Sequence, residues 1–162
     1  LLPAINKSDT VISFAKKAIE GAHYLGIPVI VTEQVPDKMG QTIPDIKNIS
    51  KQTKTITKSD FSCFGEAKFM DLLDELNIKN IIICGVESHV CVLQTALDGI
   101  SAGYNVYLLV DAIGSRRDFD KEIAIKRFRY HGGNIITTEM MIFELLISSR
   151  HPEFKNISKL VK

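Results

Sequence analysis

The chain carries three cysteines, Cys63, Cys84 and Cys91, and Cys91 stands where a thiol has chemistry to do. It closes the segment Gly85-Val86-Glu87-Ser88-His89-Val90-Cys91, in which an apolar strand exits through a glycine and a helix begins. Unpaired backbone N–H groups and the positive end of the helix dipole favour a thiolate in such a first turn. The same N–H groups suit an oxyanion forming on a substrate carbonyl. The alternative is a small thiol packed inertly against the sheet, which is the reading for Cys84 inside the run Ile81-Ile82-Ile83-Cys84.

Lys58 lies just past a strand, between Thr57 and Ser59, with Phe61 and Phe64 following. A lysine beside an apolar wall can have its pKa lowered and move protons for a nucleophile; a solvated surface cation is the competing reading. His89 invites a pairing with Cys91, but side chains two helical positions apart diverge by about 200°, so His89 is expected to be structural or to line a pocket. A zinc set of Cys84, His89 and Cys91 lacks a fourth ligand and draws one member from a buried strand, so no metal is expected. Asp111, at a strand end, fits a capping and loop-ordering role better than a substrate contact. Glu33 and Gln34 either line the pocket or are solvated. Asp37 to Gly40 and the pair Arg116-Arg117 read as loop and solvent features.

The elements that must position these groups follow from apolar spacing. Val11, Ala15, Ala18, Ala22 and Leu25 mark an amphipathic helix ending near Gly26. Val29 to Val31 reads as a buried strand, and Thr32 to about Lys51, with Pro36, Gly40 and Pro44, as a long surface excursion of the kind that often carries function. Thr53 to Thr57 is a short strand; Phe69, Leu72, Leu73 and Leu76 give the next helix its apolar face. Ile78 to Cys84 is a fully buried strand. A helix from Ser88 to Gly103 follows, then a strand Val106 to Val110, a helix from about Asp118 to Tyr130, a strand at Ile135-Ile136, a helix from about Thr138 to Ile147, and a short terminal helix or tail from His151 to Lys162. Alternation of continuous apolar strands with helices predicts one domain over residues 1–162, an α/β doubly wound (Rossmann-like) parallel sheet with helices on both faces. In such sheets functional groups collect beyond the carboxyl ends of the strands, which is where Glu33, Lys58, Cys91 and Asp111 all fall. The chain opens on Leu1-Leu2-Pro3 and a helix, with no strand ahead. The first strand of the fold is therefore expected to be missing from this sequence.

Composition narrows the partners. The 162 residues include 20 basic and 19 acidic side chains, a net charge of +1 with no clustered footprint for nucleic acid or an anionic membrane. Apolar runs are too short to cross a bilayer and no charged leader precedes one. An odd cysteine count without repeated spacing argues against a disulfide framework. A cytoplasmic protein acting on a small molecule is expected, with neither nucleic acid nor membrane as partner.

The segment from Gly85 to Ala96, Gly-Val-Glu-Ser-His-Val-Cys-Val-Leu-Gln-Thr-Ala, resembles the nucleophile segment of the isochorismatase-like cysteine hydrolases. Lys58 with Ser59-Asp60-Phe61-Ser62-Cys63-Phe64, Val31-Thr32-Glu33-Gln34, and Val110-Asp111-Ala112 ahead of Ser115-Arg116 extend the resemblance over nearly the whole chain. It is closest to the branch that includes the isochorismatase domain-containing proteins. The resemblance implies an aspartate, lysine and cysteine triad, with Lys58 in the lysine place and Cys91 in the nucleophile place. It also implies a cis peptide at Val86-Glu87, an oxyanion hole from the backbone N–H groups of Glu87 and Cys91, and a homo-oligomer. A substrate pocket is expected to include Glu33, Gln34, Phe61, Phe64 and His89. The family aspartate sits at the end of the first strand, and nothing in this sequence matches it; no other residue, Asp9 included, is promoted to its role. Nicotinamidases carry a histidine-rich metal site after the second strand, whereas Glu33 to Gly40 holds no histidine. No metal or other cofactor is therefore expected, and nicotinamidase activity is disfavoured. Hydrolysis of a small amide-like or related substrate is the implied reaction. The alternative is a non-catalytic small-molecule-binding or assembly protein on the same fold.

Overall fold

Apolar residues at spacings of three and four drive the first helix, α1 (Ser8–Tyr24), which buries Val11, Ala15, Ala18, Ile19 and Ala22 along one stripe. The structure, a computed structural model, describes residues 2–50 and 53–162. Leu1, and Lys51 at the end of the predicted excursion, lie outside the described residues. After α1 the chain enters β1 (Ile30–Gln34), then α2 (Pro36–Met39), α3 (Pro44–Ile49) and β2 (Lys54–Lys58). A short 3₁₀ turn at Cys63–Gly65 leads to α4 (Ala67–Glu75), β3 (Asn80–Val86), a wide π-type turn at Ser88–Val92 and α5 (Leu93–Ser101). The remainder is β4 (Asn105–Gly114), α6 (Asp118–Tyr130), β5 (Asn134–Ile136), α7 (Thr138–Leu146) and α8 (Phe154–Leu160).

All strand pairings are parallel. β1 pairs with β2 in the register Ile30 with Lys54 through Gln34 with Lys58. β4 lies between β3 and β5. Successive residues of β4 face opposite layers: Val106 and Leu108 pack with Leu93, Ala96, Ala124 and Phe128 from α5 and α6, while Leu109 packs with Ala15, Ala18, Met141, Ile142 and Ile157 from α1, α7 and α8. A third cluster sets α4 (Phe69, Leu72, Leu73) against Ile56 of β2 and Cys63. The architecture is thus the expected α/β parallel fold with helices on both faces.

The structure corrects three local expectations. β1 runs on through Thr32-Glu33-Gln34, because pairing with β2 satisfies backbone groups that a polar sequence would otherwise leave to water. The excursion after it is not open coil: Pro36 and Pro44 each start a short helix, as proline at the first helical position allows. The helix expected from Ser88 begins as the wide turn, in which the Glu87 carbonyl accepts from both Val90 N (3.1 Å) and Val92 N (3.2 Å), and only from Leu93 is it α-helical. The sheet itself falls into two parts, β1-β2 and β3-β4-β5, with no ladder joining β1 to β3 among the described residues. A slot separates them.

Candidate active site

The slot is a cavity of about 440 Å³. Val29 to Gln34 forms one wall and Ile83 to Val86 the other, Val11, Ala15 and Ile19 of α1 contribute from one face, and the stretch from Met39 to Ile46 closes over it. Lys58, Cys63, Cys91 and Thr95 line it as well. The carboxyl ends of β1, β2 and β3 deliver these groups together, as a parallel sheet requires.

Lys58 is buried, at 5% exposure. Its ammonium donates to Gln34 Oε1 (2.6 Å), the Asp60 carbonyl (2.9 Å) and the Phe61 carbonyl (2.7 Å). All three acceptors are neutral, and no carboxylate pairs with it among the described residues. The solvated-cation reading is excluded by that burial. Cys91 Sγ faces the same Gln34 Oε1 at 3.9 Å, so one amide oxygen sits between ammonium and thiol while the Gln34 Nε2 donates to the Ser59 carbonyl. Gln34 is the link that spacing along the chain did not reveal.

Electrostatics at Cys91 run against the expectation of a ready thiolate. Burial pushes its thiol above the ordinary range, and this outweighs the downward pull of Lys58 and of the Cys91 backbone N–H; Cys63 and the Glu87 carboxylate push it further up. The turn is not a full α-helical first turn, so the dipole argument has less to act on. Cys84, on β3, is pushed up to about 11 by burial, with Asp111 adding to the shift, in keeping with an inert thiol.

The Val86–Glu87 peptide is cis. Gly85, at φ 119°, sits where the β3–β4 register shifts, a conformation that favours glycine. The Glu87 side chain turns away from the cavity: its Oε2 accepts from Arg116 N (3.3 Å) and Arg116 Nε (3.1 Å). His89 also points elsewhere, with Nδ1 against Ser115 Oγ at 3.0 Å and Nε2 4.0 Å from Asp120 Oδ2.

Of the predicted pocket residues, Glu33 and Gln34 line the cavity, and Phe61, Phe64 and His89 do not. Phe61 is 53% exposed and contributes only its carbonyl. Phe64 turns inward, edge-on to Phe69 at 5.4 Å between ring centroids, because burying an aromatic ring against the α4 cluster removes more apolar area from water. His89 is held by the connection between β4 and α6. Glu33 Oε1 accepts from Thr42 N at 2.7 Å, a bond that lowers its pKa and ties the covering stretch down. Asp111 caps α7: both carboxylate oxygens accept from Thr138 N at 3.0 Å, and Oδ1 from Thr138 Oγ1 at 2.9 Å.

A buried lysine, a cysteine on a wide turn after a glycine-marked strand exit, and their convergence at the carboxyl ends of parallel strands meet a family model, the isochorismatase domain, that matches residues 2–140. The chain belongs to the isochorismatase family. Isochorismatase family protein 1A of Dictyostelium discoideum is 38% identical over 157 residues, covering 94% of this chain and 76% of that protein. Among solved structures, the MAR1 ribonuclease of Caenorhabditis elegans superposes with a TM-score of 0.92 at 36% identity, over 98% of this chain and 82% of the other. The YcaC gene product of Escherichia coli, described as an octameric hydrolase of unknown specificity, gives 0.87 at 22% identity, over 98% and 86%, a likeness of fold.

Within this isochorismatase domain, Cys63 and Thr95 are cavity residues that sequence reasoning did not select, and Thr32, at the end of β1, joins them. Cys63 N donates to Thr95 Oγ1 at 3.0 Å, and Cys63 Sγ to Thr32 Oγ1 at 3.8 Å. Thr95 was findable: it lies four residues after Cys91, on the same side of the turn. Cys63 was not, because only the fold of the Lys58 loop brings it back to α5.

Proposed function

We propose that this isochorismatase domain hydrolyses a small amide-like or related substrate through a covalent intermediate on Cys91. One observation carries the reading: the ammonium of Lys58, buried on neutral acceptors, shares Gln34 Oε1 with the Cys91 thiol at the floor of a cavity of small-molecule size. A buried cation without a counter-charge is costly, and that cost supports a carboxylate arriving at this spot. A carboxylate reaching Lys58 from outside the described residues, at the carboxyl end of β2, would relieve that cost. It would complete the aspartate, lysine and cysteine triad.

Because burial keeps Cys91 protonated at rest, the proton leaves as sulfur attacks. The carboxylate takes the thiol proton while Sγ bonds to the carbonyl carbon, and the oxyanion is held by the N–H groups of Glu87 and Cys91. Lys58 stabilises the resulting carboxyl–carboxylate exchange. Collapse breaks the C–N bond, the amine leaves with the proton, and a thioester remains. Water then attacks the thioester, returning the acid and the Cys91 thiol. The reading places the protein in the cytoplasm and in a homo-oligomer, for which the octameric description of the YcaC relative is the support.

The test is a screen of small amides and related esters against the full-length protein and its Cys91→Ala variant. Turnover by the parent that vanishes in Cys91→Ala is expected. Saturable binding without turnover in both would instead establish the second reading, a non-catalytic binding protein, in which Lys58 keeps only the neutral acceptors it has among the described residues. The relative named a ribonuclease sets a further outcome: RNA cleavage lost in Cys91→Ala would replace the small-amide reading, although a net charge of +1 gives no overall excess of positive charge toward phosphates.

A further inference from the structure

The Cys91 turn is clasped from outside the cavity by groups the mechanism does not use. Glu87 is 6% exposed and its Oε2 takes two hydrogen bonds from Arg116, one from the backbone and one from the guanidinium. Two residues on, His89 contacts Ser115 and Asp120, and Asp120 is in turn gripped by the Arg117 fork at 2.7 and 3.0 Å. The Glu87 and His89 contacts join the Glu87–Val92 turn to the β4–α6 connection and to the first turn of α6. The sequence had marked Arg116-Arg117 only as solvent features.

We propose that Arg116 is a positioning residue for Cys91: by pairing with the buried Glu87 carboxylate it anchors the nucleophile turn to the β4–α6 connection and shields the thiolate from Glu87's charge. The inference rests on the reading of Cys91 as nucleophile. Burial disfavours the Cys91 thiolate most; Lys58 from β2 favours it, Cys63 from the 3₁₀ turn opposes it, and the Glu87 carboxylate at the start of the turn adds a smaller opposing charge. Truncating Arg116 would leave the buried Glu87 carboxylate without its counter-charge, held only by the Arg116 backbone N–H. The Arg116 side chain is itself 59% exposed, so its truncation removes little packing.

The experiment follows alkylation of Cys91 by iodoacetamide as a function of pH, resolved from Cys63 and Cys84 by peptide mass spectrometry. The variants are Arg116→Ala, Arg116→Lys, Glu87→Gln and the double variant Arg116→Ala with Glu87→Gln. Arg116→Ala should react about threefold or more slowly near pH 7.5, its profile displaced to higher pH, the size of one partly screened charge. Arg116→Lys should recover most of the rate, and Glu87→Gln in the Arg116→Ala background should restore it by removing the exposed field. A purely structural role would slow the reaction without displacing its pH profile. If the Arg116→Ala profile superposes on the parent, or the double variant is as slow as the single, the proposal is overturned. If Cys91 in the parent reacts more slowly than Cys63 and Cys84, the nucleophile reading falls and this proposal falls with it.

Discussion

Lys58→Met preserves the length of the side chain and removes its charge, which isolates what the ammonium does for Cys91. Gln34 Oε1 lies 2.6 Å from Lys58 Nζ and 3.9 Å from Cys91 Sγ, so charge and sulfur are no more than about 6.5 Å apart. At an effective dielectric of about 20 the attraction between ammonium and thiolate is about 2.5 kcal/mol. Cys91 is half-buried, and water at the cavity mouth reduces that by about half, leaving roughly tenfold in thiolate population at fixed pH. Iodoacetamide alkylation of Cys91 at pH 7.5 should therefore slow about tenfold in Lys58→Met and much less in Lys58→Arg, which keeps the charge. Thermal unfolding runs alongside, because the three stranded acceptors on Gln34, Asp60 and Phe61 each cost about 1–3 kcal/mol where they stay shut off from water. An unchanged or faster alkylation rate in a cooperatively folded Lys58→Met protein would refute the claim that this lysine acts on the thiol.

Asp111→Ala removes the acceptor for Thr138 N and Thr138 Oγ1, and should lower stability by about 1–2 kcal/mol in urea unfolding; an unchanged midpoint would return Asp111 to the list of substrate contacts. Cys84→Val addresses alkaline stability. Burial raises the Cys84 thiol from 9.0 to about 11, so the native state holds this proton more tightly than the unfolded chain: the contribution is complete below about pH 9 and is lost as pH rises from 9 to 11, by about 3 kcal/mol. The variant should show a flatter alkaline limb than the parent, and parallel limbs would contradict the assignment. Cys91→Ala should abolish turnover in the amide screen while leaving the melting temperature within a few degrees, since it trims one half-buried thiol.

Much of this protein was decided by short-range pattern. Runs such as Ile81 to Cys84 and Val106 to Val110 are apolar without alternation because both faces of a parallel sheet are covered, and that alone places helices on either side. Gly85 marks the strand exit because the chain there needs a positive φ, so Cys91 was legible as a residue at a strand's carboxyl end, and Lys58 likewise. Three things were decided only by the tertiary structure. Gln34 became the bridge between Lys58 and Cys91 because parallel pairing brings Gln34 beside Lys58, a contact between residues 24 positions apart that no local spacing encodes. Phe64 and His89 left the pocket because side-chain direction follows what each residue can bury or bond, a ring against Phe69 and an imidazole against Ser115. The raised pKa of Cys91 came from desolvation, which depends on every atom around the thiol and so cannot be read from its neighbours in sequence; sequence placed the candidate thiol, and packing set how tightly it holds its proton.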